Sequence, residues 1–184
     1  MTLAERRPAR ARILDAAGRL FYARGVVATG IDAIIAEAGV AKMSLYNNFS
    51  SKDELIEAYV EARHAEWRAL YERRAASASG PRERALAVFD AYLDHADASL
   101  ESGFRGCGLL NAAAELPDGS AGRDAVRRHK EEIEGLLAAA TGSAELAQHL
   151  SFLVEGAVVR AGLEGSRDRL SAARAIAAKM IDAA

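Results

Sequence analysis

Residues 25–55 read GVVATGIDAIIAEAGVAKMSLYNNFSSKDEL, and the way they fold decides what the rest of the chain is for. Ile31, Ile34 and Ile35 give a short helix one apolar face, and Gly39 can take the left-handed conformation that a tight turn demands. Val40, Leu45 and Phe49 then close a small core beneath the next helix. The stretch therefore reads as two short helices joined at a glycine, with a third helix starting behind them. This leaves Lys42, Met43, Ser44, Tyr46, Asn47 and Asn48 facing outward. One cation, a hydroxyl, a phenol and two carboxamides in a row suit a nucleic-acid surface, because carboxamides bond base edges while Lys and Tyr reach phosphates.

Working outward, the 184 residues are 51% hydrophobic with a net charge of -2, enough to bury a substantial core in one or two domains. Apolar spacing is helical nearly everywhere and only three Pro interrupt it, so the fold class is all-α, with about nine helices. A single Cys excludes an internal disulfide framework and fits a reducing cytoplasm. No apolar run is long enough for a membrane span, so no membrane partner is expected. Charge is unevenly spread. Residues 1–52 hold eight Lys or Arg against four acids, a balance of +4 that leaves -6 for the remainder. A basic end and an acidic end are what a protein with one polyanion-facing part would carry. The Arg-rich start, Arg6, Arg7, Arg10 and Arg12, reads as a basic arm rather than a targeting peptide, since Glu5 and Asp15 interrupt it.

The run AGVAKMSLYNNFSSKDEL at 38–55 resembles the helix-turn-helix of the tetracycline-repressor (TetR) family of bacterial transcription regulators. Ala38, Gly39, Val40, Leu45, Tyr46, Phe49, Ser51, Lys52 and Leu55 match that pattern in order, and the likeness covers about the first third of the chain. Gly30 and Ala41 depart from it, standing where the family usually offers a Ser or Thr to cap a helix and touch a phosphate. Such a cap contributes about 1 kcal/mol, and Thr29 with Asp32 is the expected substitute for the first helix of the motif. The resemblance implies a helix-turn-helix DNA-binding domain over 1–50 and a helical ligand-binding and dimerisation domain over 51–184, joined by a connecting helix at 51–74.

The connecting helix starts at a capping box, Ser51 with Glu54, and carries Leu55, Ile56, Tyr59, Val60, Trp67 and Leu70. AASASGP at 75–81 is the linker candidate. Further helices are expected at about 8–24, 82–102, 109–116, 123–140, 143–163 and 170–183. Catalytic and metal chemistry find little support. The four His, at 64, 95, 129 and 149, lack any two-ligand spacing, so neither a metal nor another cofactor is expected. Cys107 reads equally as pocket lining beside Asn111 and Glu115 and as a small buried hydrophobe. An α-helical enzyme would need an acid, base or nucleophile set that the chain does not offer. A helical interaction protein would leave Lys42, Tyr46 and Asn48 without a purpose.

The resulting expectation is a dimeric, ligand-responsive DNA-binding transcription regulator, a repressor released from a palindromic double-stranded operator by a small, largely apolar effector. Lys42, Met43, Ser44 and Asn47 would face the major groove. By matching positions in the family, Thr29, Tyr46, Asn48 and Lys52 would hold phosphates. A homodimer would place two copies on half-sites about 34 to 36 Å apart, or a multiple of that. Its four-helix interface, resembling the family's, would use Leu150, Leu153, Ala157, Ile176 and Met180. The effector pocket would be lined by Trp67, Phe89, Tyr92, His95, Phe104, Cys107, Asn111, Phe152 and Glu155.

Overall fold

The structure, a computed structural model, describes residues 8–99 and 103–184. Among these residues there are nine helices and no strand, as the apolar spacing requires. They group into two compact units. The first contains α1 (Ala9–Arg24), α2 (Ile31–Ala38), α3 (Lys42–Tyr46), the start of α4 (Lys52–Ala76), α6 (Gly108–Glu115) and the start of α7 (Ala121–Thr141). The second contains the rest of α4 and α7 together with α5 (Pro81–Ser99), α8 (Ala144–Glu164) and α9 (Asp168–Asp182). Arg6, Arg7 and Leu100 lie outside the described residues. No described helix is long and apolar enough to cross a membrane.

The first unit is built around α1, whose Ile13, Ala16, Ala17, Leu20 and Phe21 all turn inward. They meet Ile34, Leu45, Phe49, Leu55 and Tyr59, each nearly inaccessible to solvent. Burying each large apolar side chain contributes about 1.5–3 kcal/mol, which is what holds helices as short as α2 and α3 in place. Phe21 meets Tyr59 edge to face at 5.4 Å between ring centres. The turn after α2 is made by Gly39 at φ 61°, ψ 43°, a region that β-carbon sterics deny to most residues. Arg12 closes that helix end, donating to the carbonyls of Ala38 at 2.7 Å and Gly39 at 2.5 Å, a cation at the negative end of the helix. Arg10 lies 4.8 Å from the centre of the Phe49 ring. The Arg10 and Arg12 of the expected basic arm are therefore helix residues committed to the fold.

In the second unit, α5 buries Ala85 to Phe89 and Ala91 to Leu93. Its acidic face is matched by arginines: Asp90 takes a two-pronged bond from Arg174 at 2.6 and 3.0 Å. Asp94 pairs with Arg74 and Asp97 with Arg167. α8 and α9 pack through small residues, with Ala157, Ala161, Ala173 and Ala177 all buried. Ser143 caps α8, its hydroxyl accepting from the Leu146 amide at 3.2 Å.

Candidate functional site

α3 is five residues long, and helical geometry sorts its side chains sharply. Leu45 is fully buried, while Lys42, Met43, Tyr46 and Asn47 share the opposite, exposed face. Met43 is 69% exposed and Tyr46 44%. Lys42 is near Asp32, 3.4 Å from Nζ to the carboxylate, a long surface pair that a stronger anion would displace. Ser44 and Asn48 sit half-buried at the edge of this face. The Asn48 amide donates to the Ser44 carbonyl at 2.7 Å, so one of its donors already serves the fold.

Thr29 needs a correction. It is 1% exposed, and its hydroxyl donates to the Gly25 carbonyl at 2.7 Å, with Leu20 O at 3.3 Å. The α1–α2 loop turns it inward, so it neither caps α2, whose N-cap is Gly30 without a side-chain bond, nor offers an oxygen to a phosphate. Ala41 likewise gives α3 no side-chain cap. The loop itself is held by groups distant in sequence. The Val27 amide donates to Glu115 at 2.9 Å, and Lys52 lies 3.4 Å from the Val27 carbonyl. At the head of α4 the Ser51 hydroxyl accepts from the Glu54 amide at 3.1 Å. The Glu54 carboxylate takes both the hydroxyl and the amide of Ser50, which holds its pKa below the ordinary carboxylate value.

The expected pocket residues divide between the units. Trp67 stacks on Tyr71 and meets Tyr92 at 5.6 Å, and Phe89, Phe104 and Cys107 are buried in the same unit. His95 meets Phe104 edge-on at 6.3 Å. Asn111 and Glu115 belong to the first unit and are exposed. Phe152 is 63% exposed on α8, where with Lys130, Ser151 and Glu155 it borders an open pocket of about 460 Å³.

Two residues that the sequence reading left out of the pocket, Lys130 and His129, stand at the centre of this cluster. The Lys130 ammonium donates to the Tyr92 hydroxyl at 3.2 Å and lies 3.5 Å from Glu155. Burial works against its charge, but the Tyr92 oxygen, the Cys107 sulfur and Glu155 outweigh burial and raise its pKa. Burial pushes the Tyr92 hydroxyl up to about 12. His129, 3% exposed, packs edge-on to Trp67 at 5.3 Å and shares a 2.5 Å Nδ1–Nδ1 contact with His64. Burial, then Lys130 and His64, hold its pKa down to about 3. The Trp67 indole N–H is buried and has no hydrogen-bond partner among the described residues. No group of three or more His, Cys, Asp or Glu among the described residues could hold a metal ion. The signal for Lys130 was in the sequence: Val126, Lys130, Ile133 and Leu137 fall on one helical stripe, a cation in an apolar row.

The expected dimer residues also divide. Leu150 and Ala157 belong to the core, at 0% and 8% exposure, whereas Ile176 is 47% exposed. Leu153 and Met180 are half-buried. The exposed ridge of α8 runs one face over, through Phe152, Gly156, Val159 and Leu163, with Leu163 at 82% exposure.

Comparison with known proteins agrees with this architecture. A family model described as bacterial regulatory proteins, tetR family, matches residues 13–59. A TetR-family transcriptional regulator from Streptomyces coelicolor, SCO4454, superposes with a TM-score of 0.85 at 32% identity, over 95% of this chain and 88% of that one. The reduced form of NemR from E. coli gives 0.77 at 26% identity, over 94% and 96%. The HTH-type transcriptional regulator TtgR of Pseudomonas putida is 40% identical over 63 residues, 34% of this chain and 30% of its own length. The chain thus spans less than a third of that curated relative. The fold and the helix-turn-helix define a transcription regulator rather than an enzyme. This chain belongs to the TetR family.

Proposed function

We propose that the protein is a dimeric, ligand-responsive DNA-binding transcription regulator of the cytoplasm, a repressor that a small molecule releases from its operator. The observation that carries this reading is the outward face of α3: Lys42, Met43, Tyr46 and Asn47 are exposed, on a scaffold whose other side, Leu45 and Phe49, is buried. Lys42, Met43, Ser44 and Asn47 read bases, while Tyr46, Lys52 and the free part of the Asn48 carboxamide hold phosphates. Residues 1–50 form the DNA-binding part and 51–184 the ligand-binding and dimerisation part, connected through 51–74.

The second copy docks on the ridge Phe152, Val159 and Leu163 with Ile176, beside the half-buried Met180, because large apolar side chains at 47–82% exposure on adjoining helices favour a partner surface. The effector is small and largely apolar with at least one hydrogen-bond acceptor. Its site adjoins Trp67, Tyr92 and Lys130, where the unpartnered indole N–H gains most from a bond. To act, it must favour the released conformation, and a coupling of about 1–3 kcal/mol lowers operator affinity roughly 5- to 150-fold.

The experiment is titration of a labelled duplex from upstream of the protein's own gene, with unrelated DNA as competitor. Saturable, salt-sensitive binding that Tyr46→Ala with Lys52→Ala weakens on all sequences supports the reading. Unchanged affinity in that double variant removes it.

A further inference from the structure

We infer that Met43 reads the C5-methyl group of a pyrimidine in each operator half-site, so that an apolar contact sets the base preference at one position. This rests on the DNA-binding reading above and adds to it the chemical group that one residue recognises. Met43 is the second residue of α3 and stands 69% exposed, while Leu45 on the same helix and Phe49 just beyond its end are at 0% and 1%. The fold makes no use of its thioether. The residues sharing its face, Lys42, Tyr46 and Asn47, all end in hydrogen-bonding groups. Val27, the other strongly exposed aliphatic residue of the first unit, sits in a loop whose amide is held by Glu115.

A major groove offers hydrogen-bonding edges at every base pair, and its one apolar projection is a methyl on pyrimidine C5. A flexible, polarisable, unbranched side chain suits that projection, since it can lie against the methyl without demanding one fixed angle. Lys42 and Asn47 on either side supply donors and an acceptor for the neighbouring bases, which leaves the methyl to Met43. Thymine and 5-methylcytosine present the same group at the same place, and the experiment separates them.

Duplexes enriched from a random-sequence pool by the full-length protein are synthesised with uracil replacing each thymine in turn, which deletes only the methyl. A second series replaces each cytosine with 5-methylcytosine. The expected result is one thymine in each half-site whose replacement weakens binding about fourfold, the equivalent of about 0.8 kcal/mol for one buried methyl. Met43→Ala, at an exposed position that should not disturb folding, then binds thymine and uracil duplexes alike, whereas Met43→Leu retains the preference. If instead 5-methylcytosine strengthens binding about fourfold in the wild type and not in Met43→Ala, the source of the methyl is a methylated cytosine. Indifference of the wild-type protein to every methyl, or equal discrimination in Met43→Ala, overturns the inference alone. Failure to enrich any sequence overturns the DNA-binding reading and this inference with it.

Discussion

Acidification should destabilise this protein through His129 well before its carboxylates titrate. A histidine in the unfolded chain has a pKa near 6.5, whereas burial holds His129 to about 3. The sign follows directly: as pH falls below 6.5 the unfolded state takes up a proton that the folded state refuses, so stability falls. At pH 5 the unfolded ring is almost wholly protonated and the folded one almost wholly neutral. A gap of 1.5 pH units below 6.5, at about 1.36 kcal/mol each, gives a loss of about 2 kcal/mol. The loss is complete only below about pH 3. Carboxylates held below their ordinary values, such as Asp94 beside Arg74, lose their contribution lower, mostly below about pH 5. The groups facing His129 are His64, with Glu132 at 3.1 Å from its other nitrogen, and Lys130. The assay is urea unfolding at pH 7.5, 6.5, 5.5 and 5.0 at fixed protein concentration, followed by the fluorescence of the chain's one tryptophan. Trp67 lies 5.3 Å from the His129 ring and so reports on this site. With a urea m-value of about 2 kcal/mol/M, the midpoint should drop by about 1 M between pH 7.5 and 5.0. His129→Asn keeps a polar atom toward His64 but cannot titrate, so its midpoint should fall far less over that range, whatever its absolute stability. Equal pH dependence in the two proteins would refute the reasoning.

Gly25→Ala should lower stability by more than 1 kcal/mol, because φ is 88° there and a Cβ would overlap the Glu115 carboxylate; thermal melting measures it, and Glu115→Ala in the same chain should relieve part of the loss. The two ridges of α8 should respond oppositely. Leu150→Ala, emptying a fully buried site, should cost about 2–5 kcal/mol and leave the sedimentation coefficient of the folded protein unchanged. Val159→Asp with Leu163→Asp, both exposed, should leave folding intact and give a monomer; a dimer persisting at micromolar concentration would return the interface to another surface.

Most of the helices were legible because apolar spacing and clear stops mark them. Ile13, Ala17, Leu20 and Phe21 mark α1, Gly39 closes α2, and Ser51 opens α4, so local chemistry and burial agree. The outward row of α3 was legible for the same reason: with Leu45 and Phe49 fixed inward, Lys42, Met43, Tyr46 and Asn47 had nowhere else to point. Thr29 was misread, as a cap from its spacing to Asp32 and as a phosphate ligand from its matching position in the family, because neither fixes where a loop residue points. Its direction is set by a loop that Gly25 turns and that Glu115, 88 residues away from Val27 in sequence, holds from outside.

α8 failed to declare its faces for a different reason. Leu150, Phe152, Leu153, Val154, Val158 and Val159 are apolar nearly all the way round, and periodicity cannot choose an inward ridge when both ridges are apolar. The choice is made by the neighbouring helix. α9 approaches through Ala173 and Ala177, and α8 meets it with Ala157 and Ala161. That contact turns Leu150, Val154 and Val158 inward and leaves Phe152, Val159 and Leu163, one face over, exposed. In α7 the opposite rule held, since a single cation at position 130 in the row Val126, Ile133, Leu137 was the one residue that did not fit its stripe. A charge kept at such a position has to be met by partners from elsewhere, which is why Tyr92 and Glu155 converge on it and why the polar centre of the second unit lies there.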